Sequence, residues 1–225
     1  MPHASRPVIG LLLALAAAAC GDDGTAGGGG GGGEAAGGGP STGAGAGAQV
    51  EELFPDADPL PGHDTCVVTI TTDIPLGSAS HVELCSDVSY PTNPPSGGDH
   101  WPRWAAYGTY DQPVAHELLV HDLEHGAVAL LHDCEGCASV TEAFTQVTEA
   151  HGADPKCLQN GSVARFVIAP DPSLDHPIAL AAWGATYVAT CVDVPSLTTF
   201  VEEHYAKGPE DTCAVGVAPA EVGCD

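Results

Sequence analysis

Histidines and carboxylates crowd one short run of the chain: His116-Glu117-Leu118-Leu119-Val120-His121-Asp122-Leu123-Glu124-His125-Gly126. In a helix, Glu117, His121 and His125 stand four residues apart on one face, where two imidazoles can share a metal ion. Gly126 supplies the conformation that ends such a helix. Upstream, Gly98-Asp99-His100-Trp101-Pro102 offers a third imidazole from a loop. Neutral imidazole binds zinc, copper, iron and nickel. His100, His121 and His125 therefore make a candidate transition-metal site, with zinc or copper as the expected ion. Glu117, Asp122 and Glu124 are the nearby carboxylates that would add a ligand or orient the imidazoles. The same residues also read as a buried polar network, with Glu124 accepting from backbone amides and a carboxylate holding His121.

Other chemistries leave weaker traces. His121-Asp122-Leu123-Glu124-His125 fits H-x-x-E-H, the inverted zinc-peptidase pattern, but five residues with two wildcards recur by chance. Cys134-Glu135-Gly136-Cys137 stands between an apolar strand and a helix, where the helix dipole favours thiolate. Thiol–disulfide exchange at Cys134 and Cys137 is accordingly the competing enzymatic reading, against a structural bridge. No Gly-x-Ser-x-Gly and no EF-hand spacing is present. Tyr90, Trp101, Trp104, Tyr107 and Tyr110 gather five of the twelve aromatics around the His100 loop, as a ligand surface or as a lid on the core.

The elements that must position these groups are short. Val67–Thr71 and His81–Cys85 are β-prone runs separated by a Pro-Leu-Gly turn signal, and they predict a hairpin. The runs 127–131, 165–169 and 186–190 are apolar enough for central strands. Ser139 with Glu142 reads as a capping box opening a helix with Val140, Phe144 and Val147 on one face. A second helix follows Ser196, bearing Leu197, Phe200, Val201, His204 and Tyr205, and stops near Gly208. The expectation is one α+β domain over residues 61–225, with a small mixed or antiparallel sheet, two main helices and disulfide bracing.

What precedes that domain reads as an address. Arg6, the apolar run Val8–Ala19 and the small residues before Cys20 resemble a bacterial lipoprotein signal over residues 1–19. The run is shorter than the roughly 20 residues of a membrane span. Cys20 would then be the lipidated N-terminus of an anchored protein facing the periplasm or the exterior. Residues 21–47 contain 15 of the 29 glycines, so 20–60 reads as a tether of about 35 Å mean reach at roughly 5–6 Å × √n. Removing Cys20 leaves eight cysteines, an even number that in an exported chain favours up to four bridges. With 30 acidic side chains against 5 basic, the formal charge is −25. A field of that sign repels phosphate backbones, which excludes nucleic acid as a partner and leaves the membrane, through the anchor, as the expected one.

Several motifs together are specific. Asn93-Pro94-Pro95-Ser96-Gly97-Gly98-Asp99-His100-Trp101-Pro102 resembles the N-P-P-T-S-G-P-H-Y-P signature of the bacterial family called domain of unknown function 3105. Leu119-Val120-His121-Asp122-Leu123-Glu124-His125-Gly126-Ala127-Val128 resembles its L-V-H-N-L-E-H-G-A-V motif. Val167-Ile168-Ala169-Pro170 and Ile178-Ala179-Leu180-Ala181-Ala182-Trp183-Gly184 resemble its later elements, in the right order, so the likeness spans about residues 90–205. The chain departs from the pattern in a loop one residue shorter before His100 and in Asp122 where the family has Asn. The resemblance implies an exported or membrane-anchored domain without an established activity, and its signature singles out His100, His121, Glu124, His125 and Trp183.

Overall fold

Between Val128 and Ala189 the chain contains runs that are apolar at every position, and these form the middle of a sheet covered on both faces. The computed structural model describes residues 47–134 and 138–224. Its seven strands are β1 (Gln49–Leu53), β2 (Val68–Thr72), β3 (Gly108–Thr109), β4 (Val128–His132), β5 (Phe166–Pro170), β6 (Ile178–Ala182) and β7 (Ala185–Ala189). They assemble in the order β1-β2-β7-β6-β4-β5-β3. β1, β2, β7, β6 and β4 pair antiparallel, whereas β5 runs parallel to both β4 and β3. A parallel β4–β5 pair needs a crossover, supplied here by helices α2 (Ala138–His151) and α3 (Pro155–Leu158). Helix α1 (His116–Glu124) precedes β4, and α4 (Val194–His204) follows β7. The sheet is thus mixed and the architecture α+β.

Alternation along the central strands sorts side chains by size. Val128, Leu130, Ile178, Leu180 and Tyr187 face α2 and α4, where they meet Val140, Phe144, Val147, Leu197, Phe200 and Val201. Ala129, Ala169, Ala179 and Ala181 line the opposite face. Small residues there let α1 lie close to the sheet through Leu118, Leu119 and Leu123. Every residue from Leu118 to Glu124 is buried, because the irregular loops of residues 73–107 cover the other side of α1. This enclosure keeps the polar side chains of α1 out of bulk water.

Among the described residues three disulfides have both partners in view: Cys66–Cys191, Cys85–Cys224 and Cys157–Cys213. The last two hold a tail with little packing of its own, each by closing a long loop and so restricting the unfolded chain. Disulfides of this number belong outside the reducing cytoplasm. Among the described residues no helix is long and apolar enough to cross a membrane. The signal segment 1–19 and Cys20 lie outside the described residues.

Several local expectations are corrected. The run His81–Cys85 forms no hairpin with β2; β2 is flanked instead by β1 and β7, and His81 makes a single parallel bridge to His100. Strand β1 falls within the 20–60 segment read as tether, since Val50 and Leu53 alternate with acids too sparsely to signal a strand without their partner β2. Strand β6 was legible only as a motif. Helix α2 begins at Ala138, so Ser139 sits inside its first turn rather than capping it. Helix α4 begins before Ser196, with Asp193 at its N-cap accepting from the Ser196 N–H at 3.0 Å. Helices α2 and α4 are the two main helices expected, and the shorter α1 and α3 add to them.

Candidate metal centre

The end of α1 sets the site. The Gly126 N–H donates to Leu123 O and the Ala127 N–H to Asp122 O, with Gly126 at φ +84°, a paired closure that terminates the helix. A β-carbon on Gly126 would lie 2.9 Å from Ala206 Cα, so the glycine also admits the chain that follows α4. That segment is pinned by the Ala206 N–H to Gly126 O and the Glu210 N–H to Glu124 O, 2.8 and 2.9 Å. Gly208 crosses so near Glu124 O and Leu123 O that no side chain fits there. His121, Glu124 and His125 are therefore presented from a helix end locked on both sides.

The loop ligands arrive by backbone pairing. Residues 80–82 run beside residue 100, with the His100 N–H donating to Ser80 O and the Val82 N–H to His100 O. The Asp99 carboxylate accepts the Ser80 N–H at 2.9 Å. Ser96 O accepts from the Gly184 N–H at 2.7 Å, which seats the Asn-Pro-Pro-Ser-Gly-Gly loop on the turn between β6 and β7. These contacts bring His81 and His100 against the C-terminal end of α1.

One donor atom each from His81, His100, His121 and Glu124 lies within 4.8 Å of the others. Zinc–nitrogen bonds of roughly 2.0 Å place tetrahedral ligands about 3.3 Å apart, so the set draws in on binding. His81, its exposed member, has the freedom to move. The other three are buried, with His100 fully so. Both buried imidazoles have one nitrogen committed to a carbonyl: His100 Nδ1–H donates to Gly98 O at 2.8 Å, and His121 Nδ1–H to Trp101 O at 2.7 Å. In a neutral ring this leaves Nε2 as a bare lone pair, the tautomer that metal ligands adopt when an outer oxygen holds the other nitrogen. His100 Nε2 stands 3.1 Å from Glu124 Oε2 yet makes no hydrogen bond among the described residues. Burial lowers the His121 pKa to about 4, and neighbouring imidazoles add to the shift, so the ring is neutral and ligand-competent at pH 7.

Of the residues singled out above, His100, His121 and Glu124 converge, and His81 joins them. His125 lies beside the group rather than in it, its ring 4.6 Å from that of His121. Glu117 faces away from the cluster and accepts the Val88 N–H at 3.2 Å. Trp183 sets its ring 6.5 Å from His100, edge-on, and forms a wall without donating. Of the aromatic cluster, Trp104 packs against His121 and His125 at 5.0 and 4.6 Å, while Trp101 is buried in the core. His81 carries no pattern of its own in the chain, because its register is set by the bridge to His100. Cys134 is disulfide-bonded, and Cys137 lies outside the described residues.

Asp122 sits where its protonated form is favoured. Its side chain is fully buried and Oδ2 accepts the Ala105 N–H at 3.1 Å. Burial raises its pKa well above the usual carboxylate value, and the Ala105 bond only partly offsets this. A protonated Asp presents the same neutral acceptor as Asn. The native state therefore keeps a proton that the unfolded chain releases above about pH 4, and stability falls as pH rises through that range. Asp122→Asn should remove this dependence, raising Tm at pH 7.5 and making little difference at pH 4, as thermal denaturation at both values will show. An equal effect at both would refute the protonated state.

A family model described as "Protein of unknown function (DUF3105)" matches residues 81–215. The matched span begins at His81 and holds every donor of the cluster. No curated protein and no solved structure matches the chain.

Proposed function

The chain belongs to the DUF3105 family, and on that premise we propose that it binds a transition metal, zinc or copper, through His81, His100, His121 and Glu124. The observation that carries this reading is the contact between His100 Nε2 and Glu124 Oε2. With Nδ1 committed to Gly98 O, a neutral His100 turns a lone pair towards a carboxylate oxygen at 3.1 Å inside the protein. A divalent ion between them, shared with His121 and His81, would engage all four donors of the cluster at once. The donors are nitrogen and oxygen without sulfur, which suits Zn(II) or Cu(II). No observation among the described residues favours thiol exchange at Cys134 over this site.

The setting we assign is the bacterial cell envelope, by a lipid on Cys20 and a glycine-rich tether. Its support is the signal-like run of residues 1–20 together with the disulfides of the folded part. Glu124, beside the ion, would hold either a coordination position or a proton. Oxidised, exported protein stripped with chelator and reloaded with Zn(II) should retain bound metal through gel filtration. At free metal near 100 times Kd the gain is about 2.7 kcal/mol, or roughly 5–10 °C in Tm for a domain of this size. Absence of both retention and a thermal shift, with Zn(II) and with Cu(II), would sink the reading.

A further inference from the structure

Three of the four donors are held in place, and one is not. The rings of His100 and His121 each fix Nδ1 on a carbonyl oxygen, Gly98 O and Trp101 O, at 2.8 and 2.7 Å. Glu124 stands at the helix end where Gly208 crosses against its backbone oxygen. All three side chains are buried, whereas His81 is exposed. Neither ring nitrogen of His81 has a hydrogen-bond partner among the described residues. Its backbone is nonetheless anchored, through the bridge to His100 and the pairing of Ser80 O and the Val82 N–H on either side. The ring can therefore leave an ion and return to it by side-chain rotation alone, a fast motion for an exposed residue.

We propose that His81 is an exchangeable ligand, whose position on the ion takes a neutral imidazole from outside the chain, as a histidine of a second protein presents it. His100, His121 and Glu124 keep the ion meanwhile. Two imidazoles and one carboxylate with a replaceable fourth position make up the shell of zinc sites that admit an outside ligand. The surroundings of His81 select the incoming donor. Its ring lies 4.8 Å from that of His121, tilted by 31°, and 5.0 Å from that of His100, edge-on at 78°. The position is thus bounded by two flat rings and suits a third. The formal charge of −25, with the Asp99 carboxylate on the Ser80 N–H next to His81, opposes an anionic ligand. In the exchange one metal–nitrogen bond breaks as another forms, the ion keeps its charge and oxidation state, and no proton moves. Tethered beside the ion, His81 competes at an effective concentration on the order of millimolar. This inference rests on the metal-binding reading above.

Titration of the full, oxidised, Cu(II)-loaded chain with imidazole tests it, read by the visible absorption and EPR of the copper, with gel filtration to confirm that the metal stays bound. His81→Ala should keep its copper and take up imidazole, regaining the native spectrum. It should do so at a concentration at least about 10-fold below that needed to change the native chain, because the tethered competitor is gone. A short peptide with one histidine should act as imidazole does, and its alanine counterpart should not. Imidazole should not restore copper to His121→Ala, whose missing ring was buried. Copper bound to His81→Ala but indifferent to imidazole overturns the inference while leaving the site standing. So does loss of copper from His81→Ala as complete as from His121→Ala, or equal rescue of the two. A response to free imidazole without one to the peptide overturns the protein source. Should His121→Ala not fold, the native chain and His81→Ala decide the matter between them. No bound copper in the native chain overturns both readings.

Discussion

Replacing His121 with alanine should all but abolish metal retention, with a loss of affinity beyond the roughly 10- to 100-fold that follows from disturbing an outer partner of a ligand. His121 is 3% exposed, carries its proton on Nδ1 towards Trp101 O, and is neutral at pH 7. Its Nε2 is therefore prepared for an ion without reorganisation, and alanine offers nothing in its place. His81→Ala should cost less, since the exposed His81 is the ligand water can most easily replace. Trp104, whose ring is 5.0 Å from His121, makes the loss visible: Cu(II) should quench its fluorescence in the native chain and not in His121→Ala. Metal content measured on both proteins after gel filtration decides the matter. Equal metal in the two would exclude His121 as a ligand.

Arg165→Met should destabilise the fold by about 3–5 kcal/mol, because it strands a buried carboxylate. The guanidinium is 2% exposed and donates twice to Asp154 Oδ2, at 3.0 and 2.7 Å, and once each to Asp211 Oδ1 and His125 O at 2.8 Å. The Tyr205 hydroxyl donates to the same Asp154 oxygen at 2.9 Å. Burial alone would raise the Asp154 pKa, but hydrogen bonds from Arg165, the Lys156 N–H and Tyr205 outweigh it and hold the carboxyl below its usual value. A lowered native pKa means the unfolded chain takes up a proton first as pH falls. The stabilisation is present above about pH 4 and disappears as pH drops through the native value. Urea denaturation from pH 7 to pH 3 should show this acid-side loss in the native chain, and a much flatter profile in Arg165→Met. The double variant with Asp154→Asn should recover part of the deficit. A variant within 1 kcal/mol of the native chain at pH 7 would show that the pair contributes only polar filling. Since Arg165 also holds His125 O, the variant tests whether the network fixes the helix end that bears the metal donors.

Much of the core was legible because burial on both faces makes a strand apolar at every position. Val128–Leu131 and Phe166–Ala169 could be read that way, as could the helical faces of Val140, Phe144 and Val147 and of Leu197, Phe200 and Val201. Strand β1 was hidden because an edge strand exposed over Gln49–Glu52 buries almost nothing. The hairpin at His81–Cys85 failed for a related reason. Short polar β-prone runs do not specify their partner, and β2 found better ones in β1 and β7.

At the site, residue type alone marked His121, Glu124 and His125, because imidazoles and a carboxylate packed into and at the end of one apolar helix need a reason to be buried, and His100 was marked from its loop. Composition and spacing also determined the acidic surface, the even cysteine set beyond Cys20 and the helix end at Gly126. The membership of the cluster was left to the tertiary structure. His81 enters through backbone pairing with residue 100, and His125 turns aside towards Glu210, although both imidazoles are the same in the chain. Helical periodicity places residues on a face, whereas donors converge only where loops from distant segments close over that face. Here the closure is made by the loop seated on Gly184 and the segment crossing at Gly208, contacts that no local pattern encodes.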